Sequence, residues 1–349
     1  MAKRSRGPAF GLGDIKKSSD YRNRIRGYEK ILILIMLLSF VVFIAIAAFA
    51  ILNEGVDTFV HSVESINLFY YMIAVIVVFA GYALRFPKWE MYTKRLGVKI
   101  ERRKNFMIYL SMYSMDITPG RWGRAIVSYT INRLTNVKFS KTFPAVVADI
   151  FTDFAGFAIV AVASALLVKQ YVLVSIVASS LLLIPFIFLY NKSAYSLFST
   201  RLRKYAMFKK LFEVGDKYFV HNKLLGKRVY FYSMLYTIPA MILGGLSLYF
   251  VMLAFGINVG YAYLPTIIFI SSISTMLGMV TGLPGNIGVT DATLLGFLVA
   301  FFGGFGITLG LASVITIFSR LVNIWFVQLF GFSSLAYTLR YWKEDVKKT

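Results

Sequence analysis

The chain contains no cysteine, which excludes disulfides, iron–sulfur clusters and thiolate nucleophiles. Histidine is almost as scarce: His61 and His221 are the two in 349 residues, too few to build a zinc or haem site. No metal, no cofactor and no catalytic residue is therefore expected. Charged side chains make up 15% of the chain, where a soluble domain would carry about 25%. The sequence also lacks a G-x-x-x-x-G-K-[ST] loop, so any transport would be passive or ion-coupled rather than nucleotide-driven.

What the chain has instead is apolar length, with 58% hydrophobic residues. Residues 31–52 (ILILIMLLSFVVFIAIAAFAIL) carry no charge and match the roughly 20 residues needed to cross hydrocarbon. That run is too long and too late for a signal-peptide core, so we expect it to remain as a span. Further spans are expected at 66–86, 142–168, 172–190, 233–255 and 307–338, all within one transmembrane domain covering 31–340.

The formal net charge of +22 is explained by where its cations sit. Residues 1–30 form a basic tail with nine Lys and Arg, and 85–104 hold eight, whereas the connector 53–65 has Glu54, Asp57 and Glu64 but no cation. This alternation is the positive-inside signature. It places both the N-terminus and the C-terminal tail (341–349) in the cytoplasm of a cell-membrane protein, and it makes nucleic acid an unnecessary partner. Residues 191–232 hold ten cations, with Leu197, Leu202, Tyr205, Phe208, Leu211 and Phe212 at helical spacing. They read as an amphipathic helix on the inner leaflet or as a solvated linker helix.

Two segments break the simple count. The first reads Asp116-Ile117-Thr118-Pro119-Gly120-Arg121-Trp122-Gly123-Arg124, and the second Thr281-Gly282-Leu283-Pro284-Gly285-Asn286-Ile287-Gly288-Val289-Thr290-Asp291. Both contain P-G-x-x-G (Pro119, Gly120, Gly123; Pro284, Gly285, Gly288) and each is flanked by spans. Aligning 66–86 with 233–255 and 142–168 with 307–338 sets these breaks in register, in two repeats at about 66–190 and 233–338. By the charge rule the repeats run in opposite senses. The expected fold is an all-α polytopic membrane protein with about six full transmembrane helices plus two re-entrant broken-helix hairpins in inverted repeats. Thr118 could cap one half-helix, and Thr290 with Asp291 the other. Such N-termini suit phosphate or carboxylate, and Arg121 and Arg124 would add full charge. The plainer alternative is that the breaks only turn hairpins, with Asp116 and Asp291 as caps and the arginines snorkelling.

Charges also fall inside spans. Asp149 and Asp153 are four apart and share a helix face, and Arg320 lies within the last span. A charge at a helix centre costs about 2.5–3.5 kcal/mol on insertion scales, so these must meet protein or water. An Asp153–Arg320 pair across the repeat axis is expected, either as a structural ion pair or as part of a polar path continued by Asn323 and Gln328. On the functional reading, Asp153→Asn should impair transport more than expression.

These residues resemble a known family. Leu84-Arg85-Phe86-Pro87-Lys88-Trp89, the P-G-R-W-G-R block at 119–124, the acidic pair at 149 and 153, Pro284 to Asp291, and Ser319-Arg320-Leu321 are similar to the transmembrane region of lysylphosphatidylglycerol synthase/flippase proteins. The resemblance implies a membrane region that translocates a charged lipid, while a separate soluble domain transfers the aminoacyl group. With eleven residues after Thr338, that transferase domain is expected to be absent. The expected function is a flippase or transporter for an anionic or zwitterionic phospholipid or a polyprenyl phosphate. Asp116, Arg121, Arg124, Asp149, Asp153, Asp291 and Arg320 would line its path, and a homodimer is compatible with the sequence. A membrane-embedded enzyme acting on a lipid-linked substrate, with Asp149 and Asp153 as paired carboxylates, is the alternative. An accessory membrane subunit is a third.

Overall fold

The structure, a computed structural model, describes residues 56–169, 171–190 and 222–348, with scattered positions between 41 and 52 and at 196. The basic tail 1–30, most of the span expected at 31–52 and nearly all of the amphipathic segment up to residue 221 lie outside the described residues. Every regular element among the described residues is helical, and the protein is an all-α polytopic membrane protein. A short helix, α1 (Val56–Glu64), occupies the connector and carries His61. The transmembrane helix α2 (Leu68–Arg95) follows.

Helix α2 begins where Asn67 accepts hydrogen bonds from the backbone N–H groups of Phe69 (3.0 Å) and Tyr70 (3.4 Å), satisfying two of the donors a helix start leaves free. It does not stop at Pro87, and ends at Leu96 before Gly97, whose φ is 70°. Its 28 residues span about 42 Å, longer than the roughly 30 Å of hydrocarbon. One face is sorted for lipid, with Leu68, Phe69, Met72 and Ile76 exposed. The other buries Tyr71, Ala74, Val78, Arg85 and Lys88. Residues 85–95, expected in a cytoplasmic loop, are therefore helical, and Arg85 and Lys88 point inward.

Helix α3 (Arg102–Met112), two 3₁₀ turns at Tyr113–Met115 and Pro119–Ala125, and α4 (Ile126–Thr135) form the first broken hairpin. Asn136, at φ 56°, turns the chain into α5 (Phe139–Val168), and α6 (Val172–Tyr190) follows. After the undescribed stretch, α7 (Gly226–Ala254) starts seven residues earlier than the span expected at 233–255. The second broken hairpin is α8 (Leu264–Thr281), a 3₁₀ turn at Pro284–Asn286, and α9 (Val289–Phe302). Then come α10 (Leu309–Arg320), a π-helical segment Leu321–Phe326, and α11 (Val327–Lys348). Thr308 caps α10 by accepting from the Leu311 N–H at 3.2 Å.

Five helical stretches among the described residues are long and apolar enough to cross a membrane: 68–95, 139–168, 226–254, 261–281 and 309–338. The fourth includes the first arm of the second hairpin, α8. The packing follows a regular exchange. Helix α2 lies along α7, α5 packs against α8 of the second hairpin, α11 packs against α3 of the first, and the two hairpin tips meet. Small residues permit the closest approaches. A Cβ on Gly331 of α11 would come within 2.5 Å of the Ser114 backbone nitrogen, and one on Gly245 of α7 within 2.7 Å of the Ile268 Cα.

Candidate functional site

The site is built where the hairpin tips turn. In both, Pro is followed by two successive residues with left-handed backbone: Gly120 (φ 59°) with Arg121 (φ 61°), and Gly285 (φ 60°) with Asn286 (φ 57°). Glycine takes that conformation freely, whereas an arginine there is uncommon and stores strain. Thr118 ties the first tip by accepting from the Gly123 N–H at 2.8 Å, and Gly123 has no room for a side chain because a Cβ would lie 2.6 Å from Thr118. In the second tip the cap is Gly288 (φ 86°), and Asp291 reaches back to accept from its N–H at 2.9 Å. Thr290, expected to share that capping, is instead buried with its hydroxyl unpartnered.

Seven ionisable side chains from three elements converge beneath the first tip. Helix α2 supplies Arg85 and Lys88, the tip supplies Asp116, Arg121 and Arg124, and α5 supplies Asp149 and Asp153. Lys88 Nζ lies 2.6 Å from Asp153 Oδ1 and 3.1 Å from Asp149 Oδ1, and it donates to Thr152 Oγ1 at 3.1 Å. Arg124 forks onto Asp116, with Nη2 at 2.7 Å from Oδ2, while its Nη1 reaches Asp149 at 2.7 Å and Asp153 at 3.0 Å. Arg85 Nη1 meets Asp153 at 3.2 Å, and its guanidinium lies 4.3 Å from the centre of the Tyr82 ring. Arg121 is the most loosely held of the cations, with one ion-pair contact to Asp153 at 3.4 Å. Arg124, Lys88, Asp149 and Asp153 are fully buried, so each charge is desolvated and depends on its partners. Four cations face three carboxylates, which leaves the cluster formally positive.

The second tip is organised by one cation. Arg320 pairs with both oxygens of Asp291, its Nη2 lying 2.9 Å from Oδ2. The same guanidinium donates to the carbonyls of Asn286 (3.2 Å) and Gly285 (3.4 Å), the two left-handed residues. The expected Asp153–Arg320 pair does not form. Arg320 is held by the hairpin of its own half, and Asp153 has nearer partners in Lys88, Arg124 and Arg85.

A cavity of about 50 Å³ lies between the tips, lined by Tyr82, Tyr113, Asp116, Arg121, Gly285, Asn286, Asn323, Ile324, Val327 and Gln328. That is room for about three to five waters. The side chains of Arg121 and Asp116 keep 14% and 17% of their surface exposed.

The family described as the lysylphosphatidylglycerol synthase TM region matches residues 36–331, most of the chain. The chain belongs to that family. It is also similar to a UPF0104 membrane protein of Methanothermobacter thermautotrophicus, at 21% identity over 294 residues, covering 77% of this chain and 85% of that protein.

In this lysylphosphatidylglycerol synthase TM-region protein, the residues singled out in sequence fall into two neighbouring groups. Asp116, Arg121, Arg124, Asp149 and Asp153 form one ion cluster, and Asp291 and Arg320 form another. The tips that carry them, the 3₁₀ turns with Pro119, Gly120 and Gly123 in one and Pro284 and Gly285 in the other, are in contact, and Gly288 follows the second. Sequence reasoning missed Arg85 and Lys88, counting them as loop cations. Their spacing of three, which sets both on one helix face at the end of the expected span 66–86, was the available signal.

Proposed function

We propose that this chain moves a phosphate-bearing lipid headgroup across the cell membrane, while the acyl or isoprenoid tails stay in lipid. The observation that carries this reading is the cavity between the tips, lined by Asp116 and Arg121 of the ion cluster, Arg121 being the cluster's loosest cation. A guanidinium with spare donors in a partly desolvated site is suited to phosphate oxygens. The fixed, mutually paired charges behind it would keep the path polar without offering a free carboxylate to repel the headgroup. Family membership supports a lipid-related membrane role.

In this reading the two hairpins are re-entrant and belong to inverted repeats, with both termini in the cytoplasm. The reciprocal packing supports that arrangement, since α5 against α8 and α11 against α3 are the same contact seen from either repeat. Helix α3 has 11 residues and α8 has 18, about 16 Å and 27 Å. The tips would then meet nearer the face from which the first hairpin enters than the midplane expected from sequence.

Two measurements test the reading. In proteoliposomes with headgroup-labelled phospholipids and a membrane-impermeant quencher, the wild-type chain should expose inner-leaflet label, and Arg121→Gln should not. If folded protein moves no lipid, the transport reading fails and the membrane-enzyme and accessory-subunit readings remain. Because the chain has no cysteine, single cysteines report orientation directly. In intact cells an impermeant maleimide should label Tyr261→Cys and spare Lys99→Cys, and the opposite pattern would invert the topology.

A further inference from the structure

Among the residues lining the cavity, Gln328 is in an unusual state. It is 3% exposed, and neither its Oε1 nor its Nε2 has a hydrogen-bond partner in the protein. A buried carboxamide is rarely left so, because the cost of stripping its water is not returned. Three neighbouring polar groups are already engaged. Tyr113 donates to the Tyr109 hydroxyl at 2.6 Å, Tyr82 to the Asn323 carbonyl at 3.4 Å, and the Asn323 amide to the Ser319 carbonyl at 2.9 Å. Gln328 thus brings one open donor and one open acceptor to the same small space as Arg121, which has five N–H donors and a single long contact.

The pair sets a chemical requirement. Arg121 and Gln328 Nε2 can both donate to phosphoryl oxygens. Gln328 Oε1 needs a donor, and a phosphate that offers only lone pairs would leave it facing negative charge. A quaternary ammonium headgroup has no N–H or O–H to give it. We infer that the tip cavity is a binding site for a phosphate accompanied by an O–H donor, with Gln328 as the residue that selects for that donor. Two lipid sources offer this chemistry: a phosphodiester whose headgroup carries hydroxyls, and a phosphomonoester that retains a proton. The inference rests on the lipid-translocation reading for its ligand class and adds the group that discriminates between headgroups.

The test is equilibrium binding to the purified full-length chain in detergent with three short-chain probes: dihexanoyl phosphatidylinositol, geranyl monophosphate and dihexanoyl phosphatidylcholine. At least one of the first two should bind about tenfold tighter than the phosphatidylcholine, the upper size of one neutral hydrogen bond. Whichever does so identifies the source. Gln328→Met should bring that preference to about one, because all three probes lose the Nε2 donor while the favoured probe also loses the Oε1 acceptor, and the melting temperature should be equal to or above wild type, because an unsatisfied amide has been removed. Gln328→Glu, which keeps the acceptor and adds a negative charge, should weaken all three phosphate-bearing probes further. Arg121→Gln should weaken all three. Equal binding of all probes by wild type, or a preference that survives Gln328→Met, would overturn the inference, as would a lowered melting temperature with unchanged selectivity. Selective binding that depends on Gln328, without lipid movement in vesicles, would uphold the site and sink the transport reading. Movement without selectivity would do the reverse.

Discussion

Neutralising Asp153 should unbalance the whole ion cluster. Its carboxylate receives Lys88 at 2.6 Å, Arg124 at 3.0 Å, Arg85 at 3.2 Å and Arg121 at 3.4 Å, with no exposed surface. Asp153→Asn keeps the shape but leaves four cations against two carboxylates, and turns an amide N–H toward guanidinium groups that cannot accept it. Removing one partner of a buried ion pair costs about 3–5 kcal/mol, mostly from the charge left behind. We expect a loss of that size in SDS-titration unfolding in mixed micelles, followed by tryptophan fluorescence. If stranded charge is the cause, removing a cation as well should repair it. Asp153→Asn with Lys88→Met should recover at least half of the loss, a coupling of about 2 kcal/mol where independent sites would add within about 0.5. A cost below about 1 kcal/mol for Asp153→Asn, well under the usual buried-pair range, or additivity in the double variant, would refute the cluster as the keystone of this fold. The same argument revises the expectation from sequence, since Asp153→Asn should now damage expression along with transport.

The other substitutions separate stability from transport. Arg121→Gln removes the most loosely held cation and should change unfolding free energy by less than about 1 kcal/mol, the scale of partly solvated ion pairs, while lipid movement in proteoliposomes falls at least tenfold. Arg320→Lys keeps the charge but loses the fork that holds Asp291 and two tip carbonyls together. It should cost about 2–4 kcal/mol in the same unfolding assay, since lysine cannot reproduce that geometry. Gly331→Ala would drive a methyl into the backbone at Ser114 and Tyr113. With no flexible side chain to yield, it should cost about 1–3 kcal/mol or more, whereas Gly244→Ala, with open space around it, should be neutral to slightly stabilising.

Much of the architecture could be read in the sequence because membrane physics writes in a coarse alphabet. The spans at 142–168 and 172–190 lie within a few residues of α5 and α6, as uninterrupted apolar length leaves few alternatives. The two breaks were legible through Pro119-Gly120 and Pro284-Gly285, since Gly at each tip adopts the left-handed backbone. The pairing of charges was not. Arg85 and Lys88 were read only as inner-side cations, because the charge rule treats a cation near a span end as cytoplasmic. Their contacts with Asp149 and Asp153 turn both inward, on a helix α2 that continues to Arg95. Arg320 was given a partner in the opposite half, but it meets Asp291 and, at longer range, the carbonyls of Asn286 and Gly285, all in its own hairpin. Gln328 was noticed only as part of a polar stripe, since an unmade hydrogen bond leaves no mark in a sequence.

The π-helical stretch at Leu321–Phe326 amounts to a single residue inserted into an otherwise α-helical rod. One residue on such a rod is a rotation of about 100°. Upstream of the insertion, Arg320 faces the second hairpin. Downstream, Gly331 sits against the Ser114 backbone and the Ser334 hydroxyl donates to the Met107 carbonyl at 2.7 Å, both on the first hairpin. Without the extra residue these two faces would be out of phase by more than a quarter turn, and the helix could grip one hairpin only by releasing the other. The insertion is thus a phase correction that makes one rod a common shaft for both hairpins. Deleting one residue from this stretch would turn either Arg320 or Gly331 away from the hairpin it now meets.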